Sequence, residues 1–257
     1  MIIKFFKLVI FFLFIVSGAF LWSRGKRASY YLNLKWGELD SQTPHFDSLP
    51  GVLIIFNSGG WGNTTFEDAE DFAKIIRGVK ITLNSLGWRV VIFSYGRTED
   101  NLSGRIRGMK EILSSFKFES EKLTGHIKVF LESNPKSRVL MIGLSLGANF
   151  VGETMKKIGA NSSVLAIMAG SPFWERALEM ENILELTNGK DILVTGDYKA
   201  LITAVAKGLI KWAAAKISGR KLSFAGAIHF SGHKYDWRSA KLRGRITSFL
   251  ESNFKIY

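Results

Sequence analysis

The pentapeptide Gly143-Leu144-Ser145-Leu146-Gly147 constrains this chain most, because of what stands on either side of it. Before it runs the apolar, strand-like segment Val139-Leu140-Met141-Ile142. After it, from Ala148, comes a helical pattern that reaches Ile158 and stops at Gly159. A strand that passes directly into a helix must bend sharply, and only small residues two before and two after the apex allow that bend. The serine at the apex then stands exposed, as a nucleophile must. A glycine-lined turn with an idle serine has the same string, so the rest of the chain decides.

The rest alternates short apolar runs with helix-period stretches. Strands are expected at 52–56, 89–94, 138–142, 163–169, 191–195 and 222–230, and helices near 65–86, 103–116, 120–132, 148–158, 174–186, 200–217 and 237–252. Thr65 and Asp68 resemble a capping pair at the start of the first helix. Strands separated by helices of ten or more residues are joined by right-handed crossovers into parallel sheets. The expected fold class is therefore α/β, an open, mostly parallel sheet with helices on both faces, spanning 51–257. Ligands of such sheets bind beyond the carboxyl ends of the strands.

A serine hydroxyl needs a base within reach and a third group to hold that base. Of the four histidines, His45 lies ahead of the sheet, His126 inside a helix and His229 within a strand-like run. His233, in the loop Ser231-Gly232-His233-Lys234, is the candidate base. The candidate acid is Asp197, which follows Ile192-Leu193-Val194-Thr195-Gly196, with helix capping as its competing role. Asp236 is the runner-up, close enough to His233 to start the final helix instead.

With Ser145, Asp197 and His233 in that chain order, the sequence resembles the α/β-hydrolase superfamily across about residues 50–257. The resemblance implies acyl transfer through an acyl-serine without a cofactor, and leaves the substrate open. The short interval between Ala169 and Asp191 implies little or no lid. An oxyanion hole needs two backbone N–H groups. Leu146, at a helix N-terminus, is one expected donor, and Gly60 or Trp61, in Asn57-Ser58-Gly59-Gly60-Trp61-Gly62, supplies the other. Glu67, Asp68, Glu70 and Asp71 follow that loop and would repel a polyphosphate.

Without cysteine, the chain can form no disulfide, thiolate metal site or cysteine nucleophile. No paired ligand spacing points to a metal. The formal charge is +13, and residues 198–257 carry 12 Lys/Arg against only Asp236 and Glu251. No nucleic-acid motif accompanies this excess, so a solvated face ranks first and a membrane surface second. In the helix at 200–217, Leu201, Val205, Leu209 and Trp212 share one side and Lys207 and Lys211 the other, a pattern that suits core packing better than a lipid-touching cap.

Residues 1–27 form a separate hydrophobic unit, uncharged from Leu8 to Trp22 and followed by Arg24, Lys26 and Arg27. It is expected to be a single-pass N-terminal membrane anchor with 28–50 as tether, its orientation undecided. The alternative is a signal peptide cut after Ala19. The expected activity is serine hydrolysis of an ester or thioester, with a small-molecule or lipid acyl substrate. A membrane-tethered, non-catalytic binding or scaffold protein of the same fold is the alternative.

Overall fold

A computed structural model describes residues 50–255 apart from 100–101, 175–177, 221, 223–226 and 229. The anchor, nearly all of the tether, His45 and His229 lie outside the described residues. Among those described, no helix is long and apolar enough to cross a membrane.

Five parallel strands form the sheet: β1 (Gly51–Asn57), β2 (Arg89–Ser94), β3 (Arg138–Leu144), β4 (Val164–Ala169) and β5 (Ile183–Leu186), in the spatial order β2-β1-β3-β4-β5. The central strands are apolar on both sides because both faces are covered. Val52, Ile54 and Phe56 of β1 and Leu140 and Ile142 of β3 pack against α1 (Glu70–Ser85) and the last helix, α7 (Ala240–Phe254). Leu53 and Ile55, with Val139 and Met141, face the opposite layer. That layer contains α3 (Lys117–Ser133) and α4 (Leu146–Ile158), while α2 (Leu102–Leu113) joins β2 to α3. The arrangement is the expected open, parallel α/β sheet with helices on both faces.

The chain runs from β1 outward to β2 and then returns to the other side of β1 for β3. A switch of this kind opens a crevice at the carboxyl ends of β1 and β3. The Asn57–Gly62 loop and Ser145 are the segments that leave those two ends.

Several boundaries differ from expectation. Thr65 and Asp68 do bond, Thr65 Oγ1 donating to Asp68 Oδ2 at 2.9 Å, but they close a turn and α1 begins only at Glu70. The segment expected to be helical up to Leu186 ends instead in strand β5, paired with Ala166–Ala169 of β4. The expected strand at 191–195 is a single helical turn, α5 (Ile192–Thr195), because the Asp191 carboxylate caps it by accepting from Leu193 N at 3.0 Å. Of the run 222–230, the described residues Leu222, Ala227, Ile228 and Phe230 are not extended into a sheet strand. Helix α6 (Tyr198–Ile217) lies where a helix was expected.

Candidate active site

Ser145 stands between β3 and α4 with φ 54° and ψ −121°, a backbone conformation that costs a non-glycine residue energy and recurs where function requires it. The flanking glycines are forced by contact. A Cβ on Gly143 would lie 2.5 Å from Gly147 O, and one on Gly147 would lie 2.1 Å from Asn57 O. Ser145 N donates to Ala169 O at 2.9 Å, so the turn is pinned to the end of β4. Ser145 is half-buried.

His233 and its partner are brought together by two stitched loops. Gly232 (φ +77°) packs so closely that a Cβ there would sit 2.1 Å from Lys190 O. Asn188 Nδ2 donates to Gly232 O at 2.8 Å, and Ile192 N donates to Ser231 O at 3.1 Å. Across this seam His233 Nδ1 lies 2.7 Å from Asp191 Oδ2. A carboxylate can only accept, so Nδ1 carries the proton and Nε2 is left as the basic nitrogen. Asp191 is fully buried, whereas the His233 side chain keeps 16% exposure. Tyr235 donates its hydroxyl to the same Oδ2 at 3.0 Å, and burial beside Asp191 pushes its phenol well above the ordinary value. The His233 ring reaches toward the serine side of the sheet: a Cβ on Gly170, next to the Ala169 that holds Ser145 N, would be 2.7 Å from His233 Cε1.

The acid expected at Asp197 is therefore corrected to Asp191 in the geometry. Asp197 caps α6, its Oδ1 accepting from Ala200 N at 3.0 Å. Asp236 is engaged by Arg238, which donates to it through the backbone N, Nε and Nη2. Those bonds hold the exposed Asp236 carboxyl down at about 2. Asp191 lies in the loop after β5 rather than after a strand at 191–195. The pairing of Ile183–Leu186 with β4 is what a four-residue stretch interrupted by Glu185 fails to announce.

The loop after β1 is held by a residue the sequence did not single out. Arg97, 5% exposed, donates from Nη2 to Ser58 O at 2.6 Å and more weakly to Gly60 O at 3.5 Å. Its guanidinium carbon lies 5.1 Å from the centre of the Phe116 ring and 5.3 Å from that of Phe150. Burial lowers its pKa to about 10, so it stays cationic at neutral pH. Arg97 N also donates to Gly62 O at 2.9 Å, and Thr98 Oγ1 to Trp61 O at 2.7 Å. In a trans peptide the C=O and the following N–H point in opposite directions. With the Ser58 and Gly60 carbonyls drawn toward Arg97, the N–H groups of Gly59 and Trp61 face away from it. Gly59 approaches the Ser145 turn most directly: a Cβ there would be 3.4 Å from Ser145 Cβ. Gly60 is exposed with φ +56°, and Gly62 N donates to Gly59 O at 3.1 Å to close the turn. Leu146 is the first residue of α4, directly after Ser145.

Among the described residues, no group of three or more acidic or histidine side chains could hold a metal ion. No family model matches the chain, and no curated protein matches it. Solved structures do. A Trichoderma reesei cutinase in complex with a phosphonate inhibitor is 16% identical, with 62% of this chain and 74% of that chain covered and a TM-score of 0.39. A cutinase-like protein from Cryptococcus sp. is 12% identical over 56% and 78% of the two chains, TM-score 0.34. A Xanthomonas campestris pv. campestris protein assigned to the α/β superfamily of hydrolases is 14% identical over 80% and 98%, TM-score 0.39. At values this low the likeness decides nothing about chemistry, which has to come from the side chains.

Proposed function

We propose that the protein is a serine hydrolase that cleaves a carboxylic ester or thioester through an acyl-serine intermediate. The observation that carries this reading is the buried Asp191 bonded to His233 Nδ1, on the same sheet edge as a serine held in a strained turn. Ser145 Oγ attacks the acyl carbon while His233 Nε2 takes its proton. The same nitrogen returns the proton to the departing alkoxide or thiolate as its bond to the acyl carbon breaks. Water, deprotonated by His233, then releases the acid and restores Ser145. Asp191 fixes the tautomer and stabilises the imidazolium. The amide of Leu146, at a helix N-terminus, and that of Gly59 or Trp61 hold the developing oxyanion.

An acyl lipid is the substrate class favoured by the sequence, since the apolar run at 8–22 would tether the domain to a bilayer. A fluorophosphonate probe applied to the full chain tests the chemistry. Labelling of the parent, and none of Ser145→Ala or His233→Ala, is expected. A folded parent that stays unlabelled refutes the reading. Hydrolysis of short soluble esters with no gain on acyl-lipid vesicles would remove the lipid substrate and leave the hydrolase.

A further inference from the structure

Helix α6 carries an apolar stripe on its outward side. Ile202, Ile210 and Ile217 are 63%, 71% and 89% exposed, and exposed Ala206 and Ala213 lie between them. The steps of four, four, three and four residues keep all five on one side of the helix. At 1.5 Å per residue the stripe is about 22 Å long. The opposite side is docked: Leu201, Gly208 and Ala215 are buried, and a Cβ on Gly208 would lie 2.6 Å from Ile228 Cγ1. Packing among the described residues thus leaves the stripe uncovered.

The charges around it name the occupant. Lys199, Lys207, Lys211 and Lys216 are exposed on the same helix. Between Asp197 and Asp236 the chain has no acidic residue and seven basic ones. Two copies of this face would set lysines against lysines, which opposes self-association. Anionic headgroups complement the lysines while the isoleucines enter the acyl boundary. Four lysines in twenty residues prevent α6 from crossing a bilayer, so a docked α6 would lie in the interfacial plane.

We infer that the outward face of α6 is an in-plane docking surface for an anionic lipid bilayer. Its N-terminal end adjoins the strand-end loops of the candidate site: the Tyr198 ring meets Phe173 edge-on at 5.4 Å, and Phe173 N donates to Leu193 O at 3.0 Å. Docking through α6 would set that edge of the sheet beside the bilayer. The inference does not depend on Ser145 being a nucleophile, and its test reads depth rather than turnover.

The absence of cysteine makes the test clean. Ile210→Cys and Ile217→Cys in the full chain each give one site for an environment-sensitive fluorophore. Ile81→Cys, on α1 and 69% exposed, serves as the control. The chains are incorporated into vesicles of phosphatidylcholine with phosphatidylglycerol that contain spin-labelled quencher lipids. Quenching at 210 and 217 at least about threefold that at 81, falling when Lys207→Glu and Lys211→Glu are combined with the label, is expected. Quenching at 210 and 217 no greater than at 81 overturns the inference. So does a fluorophore at 210 that is already shielded without vesicles, which would assign the face to a second copy or to the N-terminal apolar segment.

Discussion

His233 Nδ1 and Asp191 Oδ2 are 2.7 Å apart although 42 residues separate them in sequence. The sequence offers Asp197 and Asp236 for the role beside His233, the structure adds Asp191, and each of the three has a different partner, so they are separable by mutation. Asp191→Asn keeps an oxygen to cap α5 but favours the wrong imidazole tautomer. The expected loss in kcat is about 10³- to 10⁴-fold, by analogy with the handicap of the same change in a serine protease triad. Asp197→Ala should leave kcat within about twofold and cost about 0.5–2 kcal/mol of stability as a lost helix cap. Asp236→Ala should leave kcat unchanged. Ester turnover and thermal melts of the three variants are the measurements; full activity in Asp191→Asn would sink the assignment.

Tyr235 provides a finer test of the same carboxylate. Its phenol is held protonated by burial and by Asp191, so it donates to Oδ2 throughout the working pH range. Tyr235→Phe removes that bond and leaves the negative charge of Asp191 more fully available to His233. The imidazolium gains stability. Because the base must be neutral to act, the acid limb of kcat/KM should move to higher pH. A limb that stays in place, or moves down, would show that Tyr235 has only a packing role.

The sheet was legible because β1, β3 and β4 are buried on both faces and read as unbroken apolar runs, and because Gly143 and Gly147 announce the turn that contact requires. What stayed hidden depended on partners distant in sequence. Ile183–Leu186 becomes a strand only by pairing with β4, and Ile192–Thr195, as apolar as any strand, is helical because Asp191 caps it. Arg97 could not be found at all: nothing in Tyr95-Gly96-Arg97 says that its guanidinium will be buried against carbonyls 37 and 39 residues upstream. Ser145 and His233 were visible as loop residues after apolar runs, whereas Asp191, the acid that His233 meets, was hidden inside the misread strand at 191–195.

Two glycine replacements should have opposite signs. At Gly147 a Cβ would meet backbone, 2.1 Å from Asn57 O and 2.6 Å from Ser58 O, and neither atom is the flexible end of a side chain. Gly147→Ala should therefore destabilise by about 3 kcal/mol, lowering the melting midpoint by roughly 6–12 °C. Gly125 lies exposed within α3 with nothing within 4 Å of its virtual Cβ. Gly125→Ala should stabilise by about 0.5–1 kcal/mol through lower chain entropy in the unfolded state. Paired melts at neutral pH check both; equal effects would mean that the turn can relax around a methyl group.

Arg97 links the fold to the chemistry, and its replacement should separate positioning from binding. A lysine keeps the charge but presents a compact ammonium, which cannot reach the Ser58 and Gly60 carbonyls from one planar group while sitting over both the Phe116 and Phe150 rings. With the Ser58–Gly59 peptide no longer held, the Gly59 amide is free to turn away from the serine. Losing one aligned oxyanion donor costs about 10²- to 10³-fold in kcat, and partial misalignment costs less, so Arg97→Lys should lower kcat by about 10- to 100-fold. The oxyanion forms only in the transition state, and KM for a short ester should stay within about twofold. A fall in kcat without a matching rise in KM supports the clamp. An unchanged kcat, in a variant whose melt is intact, would assign the second donor to an amide that Arg97 does not control.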